Sequence, residues 1–314
     1  MSEINRLKLI EQSKFTNERP DVVRTKLKGL VDAGEIKLRE IERKTTFSSA
    51  VISQALNDKY PGDVEKVNDA LIRFYRWWVA TNFVIQTGVL HNIQGAMDLG
   101  WKRFEIVSIV APFGRGKSKA TSHFVATNNY AIYLELPSIT TISSLLIAIG
   151  EALNIKGLAP LSRHDKLMTI VNSLQRTPRM IVIDEADNLV PSTLAVLKDI
   201  WGDLTAQRCC IVLVGTDRLI KILRHPDLGY LNRRIGIRVR VGDITVQEAK
   251  SIVDIWPHDL DADDIKKAYG WSMSRFGVAS LVSLMGRACD VMQMKKETEI
   301  DSQCLDDAYG FLVD

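Results

Sequence analysis

Two short segments carry residue types that together handle phosphate. The first is Ala111-Pro112-Phe113-Gly114-Arg115-Gly116-Lys117-Ser118, which follows the apolar run Ile106–Val110 and precedes a helical pattern. Glycines let backbone N–H groups converge on phosphate oxygens, and a helix start adds partial positive charge. Lys117 has the reach for β- and γ-phosphates, and the Ser118 hydroxyl suits Mg²⁺. Pro112, Phe113, Gly114, Arg115, Gly116, Lys117, Ser118 and Lys119 are therefore the expected cradle for ATP, with Mg²⁺ on Ser118. Ala111 stands where such loops usually begin with Gly, which predicts a tighter start to the loop.

The second segment is Met180-Ile181-Val182-Ile183-Asp184-Glu185. Four apolar residues bury a strand and deliver two carboxylates at its end. Asp184 is expected to hold Mg²⁺, partly through water, and Glu185 to orient and polarise an attacking water. Read alone, the same segment is a buried strand ending in two surface acids. A phosphate loop upstream makes that plainer reading weak. Asp184-Glu185-Ala186-Asp187 also spells a helicase-type tetrad, which carries little weight by itself.

These residues need a scaffold. Strand patterns occur at Phe104–Val110, Tyr130–Leu136, Arg179–Asp184, Cys209–Gly215 and Ile235–Val241. Helical patterns lie between them at 117–127, 141–153, 163–176, 191–206 and 217–225. Such alternation predicts an α/β domain with a parallel sheet flanked by helices. It occupies 83–242, between a helical N-terminal domain at 1–82 and a C-terminal helical lid at 243–314. In the N-terminal domain, residues 36–57 have the dimensions of a helix-turn-helix. Its second helix presents Ser48, Ser49, Ser53 and Gln54, with Lys59 just beyond, as candidate contacts to base edges or phosphates. A plain bundle that binds another protein fits the same pattern.

Composition narrows the class. With 46% hydrophobic and 25% charged residues, the chain is an ordinary globular protein. No apolar run approaches membrane-spanning length, and the charged N-terminus lacks an apolar signal segment, so a cytoplasmic location is expected. Cys209, Cys210, Cys289 and Cys304 show no metal-ligand spacing and read as small core residues. Net charge is only +3, but residues 1–60 hold twelve Lys/Arg against nine Asp/Glu, and Arg218 to Arg240 is locally basic. Both stretches suit phosphate, and both also fit a solvated charged face.

The order of motifs resembles the AAA+ P-loop ATPases. In that family a polar residue after the next strand contacts the γ-phosphate or the water, which is Thr216 here. A helix-capping Thr is the plainer alternative. An arginine near Leu231-Asn232-Arg233-Arg234 would reach a neighbour's ATP, and the sequence does not separate Arg233 from Arg234. At the start of the corresponding lid helix, Gly277-Val278-Ala279-Ser280-Leu281 lacks the expected arginine.

A narrower resemblance rests on Ser53, Asn57-Asp58-Lys59-Tyr60 and Gly62-Asp63 before a helix with Leu71 and Arg73. With the motor motifs and Val214-Gly215-Thr216, these resemble the transposition ATPases of the phage Mu protein B, TnsC and IstB type over roughly residues 36–290. The resemblance implies an ATP-dependent helical filament on duplex DNA of nearly any sequence. Such a filament delivers target DNA to a transposase and stimulates it, and hydrolysis releases the DNA. It also implies DNA contacts on the motor, for which Ser138, Thr140, Arg163 and Lys166 are the candidates. A bacterial or phage-infected cytoplasm would be the setting. The alternatives are an AAA+ replication initiator or helicase loader, and a nucleotide switch whose N-terminal bundle binds protein.

Overall fold

The computed structural model describes residues 9–10, 19–82, 84–137, 139–202 and 209–311. The chain folds as two compact units, one around Thr87–Ile244, the other from Arg6–Gln86 together with Thr245–Asp314. Helices from both ends of the sequence thus share the second unit, which the three-region reading did not anticipate.

In that unit, β1 (Leu9–Ile10) pairs in parallel with β2 (Val84–Ile85). Helix α1 (Pro20–Asp32) starts on Pro20, whose missing N–H is no loss in a first turn. Helices α2 (Leu38–Lys44) and α3 (Ser49–Leu56) follow, with Ser48 capping α3 by accepting from Val51 N at 3.4 Å. The long α4 (Val64–Asn82) buries Val67, Leu71, Phe74, Trp78 and Val79, a helical stripe.

The sheet unit opens with α5 (Gly88–Arg103), which the sequence patterns had not revealed. It continues with β3 (Ile106–Val110), α6 (Lys117–Thr127), β4 (Ala131–Glu135), α7 (Ile142–Ala152), α8 (Arg163–Arg176) and β5 (Arg179–Asp184). Then come α9 (Pro191–Ala195), α10 (Leu197–Trp201), β6 (Cys209–Gly215), α11 (Asp217–Leu223), α12 (Gly229–Arg233) and β7 (Ile235–Arg240). The sheet order is β4-β5-β6-β3-β7 and every pairing is parallel. All residues of β3 and β6 are buried, as strands covered on both faces must be. Gly100 of α5 lies so close to the sheet that a Cβ there would stand 2.3 Å from Val107 Cγ2.

The second unit resumes with α13 (Val246–Val253), α14 (Ala262–Met273), α15 (Val278–Lys295) and α16 (Ser302–Gly310). Thr245 and Glu248 form a reciprocal capping box at α13. Helix α15 packs on α14, α16 and α4, and buries Leu281, Leu284, Met285, Ala288 and Met292. All four cysteines are buried free thiols. Among the described residues, no helix is long and apolar enough to cross a membrane.

Candidate nucleotide-binding site

Sheet order assembles the site. Strand β6 lies between β3 and β5, so the phosphate loop after β3 and the carboxylates after β5 are two strand spacings apart, about 10 Å. Thr216, at the end of β6, sits between them. Crevices at the carboxyl ends of parallel strands are where such sheets bind ligands.

The loop is built by its glycines. Gly114 has φ of 74° and Gly116 of 81°, both in the left-handed region that a side chain would strain. Ala111 N donates to Gly215 O at 3.1 Å, which ties the loop's start to β6. Gly116 offers no side chain to cap α6, so the first-turn N–H groups are left for an anion. Lys117 is only 8% exposed. Its Nζ donates to Pro112 O at 3.3 Å and lies 5.3 Å from the centre of the exposed Phe113 ring. Burial holds this ammonium below the usual lysine range, opposed by the charges of Asp184, Asp187 and Glu185. Burial alone pushes Lys119 down to about 8. The Arg115 guanidinium bonds Asp243 at 2.5 Å, which braces the loop.

Asp184 is 2% exposed. Its Oδ1 accepts the Glu185 N–H at 2.8 Å and its Oδ2 accepts the Tyr133 hydroxyl. Burial, then the Asp184 charge, pushes the Tyr133 phenol far above its ordinary value, so it remains a donor. Glu185 has φ of 52°, a left-handed conformation costly for a side-chain-bearing residue, and its Oε2 accepts from Asn188 Nδ2 at 2.9 Å. Thr216 caps the next helix, the plainer of its two expected roles, and also bonds an acid. Its Oγ1 caps α11 by accepting from Arg218 N at 3.3 Å, and its hydroxyl donates to Asp187 Oδ2. Exposed Ser118 and buried Asp184 offer hard oxygen donors, a set that fits Mg²⁺.

Sequence reasoning left out Tyr133, Asp187 and Asn188. Asp187 had a signal in the acidic tetrad. Tyr133 had none, because its role depends on β4 lying beside β5.

The two arginines separate. Arg234 is half-buried, with its guanidinium 5.1 Å from the Trp201 ring centre and 4.5 Å from that of Tyr230. Arg233 is exposed and donates to the Gly229 carbonyl through Nε at 3.2 Å. Among the expected DNA contacts on this unit, Ser138 lies outside the described residues. Thr140 is buried and donates to Pro137 O at 2.6 Å, and Lys166 is 4% exposed with Nζ on Leu161 O at 2.5 Å. Arg163 alone of this group offers an exposed cation. In the helical unit, Ser48 caps α3 and Ser49 Oγ donates to Glu42 at 2.5 Å, while Gln54 and Lys59 are exposed and Ser53 is half-buried.

The chain matches the AAA domain family over residues 103–223. It is 25% identical over 245 residues to the ATP-dependent target DNA activator B of Escherichia phage Mu, covering 74% of this chain and 77% of that protein. It is 22% identical over 254 residues to the Mu-like prophage FluMu DNA transposition protein B of Haemophilus influenzae, covering 77% and 87%. Its fold is similar to the Aeropyrum pernix ORC1 protein solved with DNA, with a TM-score of 0.58, 15% identity and coverage of 75% and 69%. It is also similar to Cdc6p from Pyrobaculum aerophilum, with a TM-score of 0.53, 17% identity and coverage of 67% of this chain. The chain spans 62% of the length of that structure. With a glycine-rich loop after β3, carboxylates after β5 and a matched AAA domain, the chain is similar to AAA+ ATPases and to the phage Mu transposition activators.

Proposed function

We propose that this chain is an ATP-dependent DNA-binding regulator of transposition, working in a bacterial or phage-infected cytoplasm. It assembles as a homo-oligomer or filament on duplex DNA of nearly any sequence, presents that DNA to a transposase, and lets go on hydrolysis. The observation that carries the reading is likeness over 74% of the chain to a protein named as an ATP-dependent target DNA activator. An initiator or helicase-loader role has only fold-level likeness behind it, at 15–17% identity.

In this reading the N–H groups of Gly114 to Ser118 hold the phosphates, and Lys117 leaves Pro112 O for the β- and γ-oxygens. Mg²⁺, held by Ser118 and Asp184, would neutralise charge between those phosphates. Tyr133 keeps Asp184 oriented. Glu185 takes the proton side of the attacking water, with Asn188 as its resting partner. Thr216 senses the γ-phosphate and passes the contact to Asp187. Arg233 of one copy completes the site of the next, while Arg234 holds α12 in place against Trp201 and Tyr230. Arg163 on the motor, Gln54 on α3 and Lys59 just beyond it contact DNA. The test is duplex binding and ATPase rate measured together: duplex DNA should raise the rate, and ATP should raise duplex affinity. A rate indifferent to DNA favours the protein-binding switch instead.

A further inference from the structure

Within the helical unit, a 490 Å³ cavity opens where the turn after α2 meets α4 and the end of α15. Its size suits a small ligand or a projecting group of a large one. Lys66, Asp69, Ala70 and Arg73 reach it from one face of α4, at the three- and four-residue spacing of a helix. Arg43 and Lys44 come from the last turn of α2, and Lys296 from the cap of α15. Thr45, Thr46 and Thr298 add hydroxyls.

Charge decides what the cavity takes. Five cations face two acids of its lining, Asp69 and Glu297. Lys66 is further matched by Asp63 at 3.3 Å. The C-termini of α2 and α15 also point here, each worth at most about half a negative charge. A surplus of about one positive charge survives these subtractions. Among the described residues, no ion pair joins Arg43, Lys44, Arg73 or Lys296 to a carboxylate. Lys44 is braced instead over the Trp77 ring, 4.6 Å from its centre. One surplus charge matches a phosphodiester, which carries one negative charge, better than a free nucleoside triphosphate, which carries several. The cavity also lies at the turn leading into α3. In a helix-turn-helix, the first helix and turn meet the DNA backbone while the second helix enters the groove.

We propose that this cavity holds a phosphodiester of duplex DNA, contacted by Lys44, Arg73 and Lys296. The assignment rests on the reading that the chain binds duplex DNA, and places part of that grip on both ends of the sequence.

The test measures affinity for a random-sequence duplex against salt concentration, with ATP present, on the full chain. Lys44→Ala with Arg73→Ala should flatten the logarithmic salt slope by about two, equally for unrelated sequences. Lys44→Arg with Arg73→Lys should keep the slope. Lys296→Gly should flatten it by about one. Lys296 sits at φ of 62°, so glycine relieves rather than disturbs the fold there, which guards against a double variant that fails to fold. Unchanged slopes in a protein whose wild type binds duplex overturn this site and leave the DNA reading standing. A wild type that fails to bind duplex with ATP overturns both. Altered ATP or ADP affinity with an unaltered DNA slope assigns the cavity to free nucleotide and overturns the proposal.

Discussion

Asp187 Oδ2 accepts both the backbone N–H of Thr216, at 3.0 Å, and the Thr216 hydroxyl. The two residues lie just after β5 and β6, so one buried carboxylate ties the proposed γ-phosphate sensor to the turn that carries Glu185. Gly215 is part of this join, since a Cβ there would stand 3.0 Å from Asp187 Oδ1. Thr216→Ala should leave ATP affinity nearly intact and slow hydrolysis about tenfold, the worth of one hydrogen bond in a transition state. Asp187→Ala should do this and also lower stability by about 1 kcal/mol, because it removes the partner of the half-buried Thr216 N–H. Single-turnover hydrolysis and denaturant unfolding separate the two effects. Equal stability of the two variants would deny the structural half of the link.

Glu185, proposed to orient the attacking water, has a left-handed backbone. Glu185→Gln keeps the strain and removes the base, so hydrolysis should fall by at least about a hundredfold while ATP stays bound. Glu185→Gly should lose as much activity but gain about 1 kcal/mol of stability, because glycine adopts that backbone without penalty. Lys117→Ala should instead abolish nucleotide binding. A glycine variant no more stable than the glutamine variant would contradict the strain.

Arg233 and Arg234 should part company in mutagenesis. Arg233→Ala should keep the melting temperature and cut ATPase activity by about a thousandfold. Mixing it with Lys117→Ala should restore some activity, because each copy supplies what the other lacks. Arg234→Ala should cost about 1 kcal/mol or more of stability through the lost ring contacts. Concentration-independent ATPase activity would rule out a finger acting between copies.

The thiols predict a pH dependence. Burial pushes Cys289 up to about 11, against 9.0 for an ordinary thiol, and raises Cys209 and Cys210 as well. Above pH 9 the unfolded chain loses thiol protons that the folded chain keeps, so stability falls as pH rises through this window. Cys289→Ala should make the decline between pH 9 and 11 shallower in denaturant titrations.

Much of this was legible in the sequence. Helices α6 and α8 and strands β5 and β6 lie where periodicity and apolar runs place them, because a buried parallel strand is a near-continuous apolar word. Helix α5 was not legible, since Gly88, Gly95 and Gly100 dilute its pattern, yet Gly100 is what lets it approach β3. The expected helix at 191–206 is broken into α9 and α10, and its residues 203–206 lie outside those described. Local spacing is enough to place Lys117 at the start of α6 and Asp184 and Glu185 at the end of β5. Tyr133 and the Arg115–Asp243 pair depend on strand order and on a turn of chain distant in sequence, which no local pattern encodes.

The central claim, that the nucleotide site controls the grip on DNA, is tested most directly by duplex affinity of the full chain with ATP and with ADP, at one salt concentration. The account predicts binding with ATP at least about tenfold tighter, a coupling of about 1.4 kcal/mol or more, and still tight with ATP in Glu185→Gln. Equal affinity in ATP and ADP would contradict it.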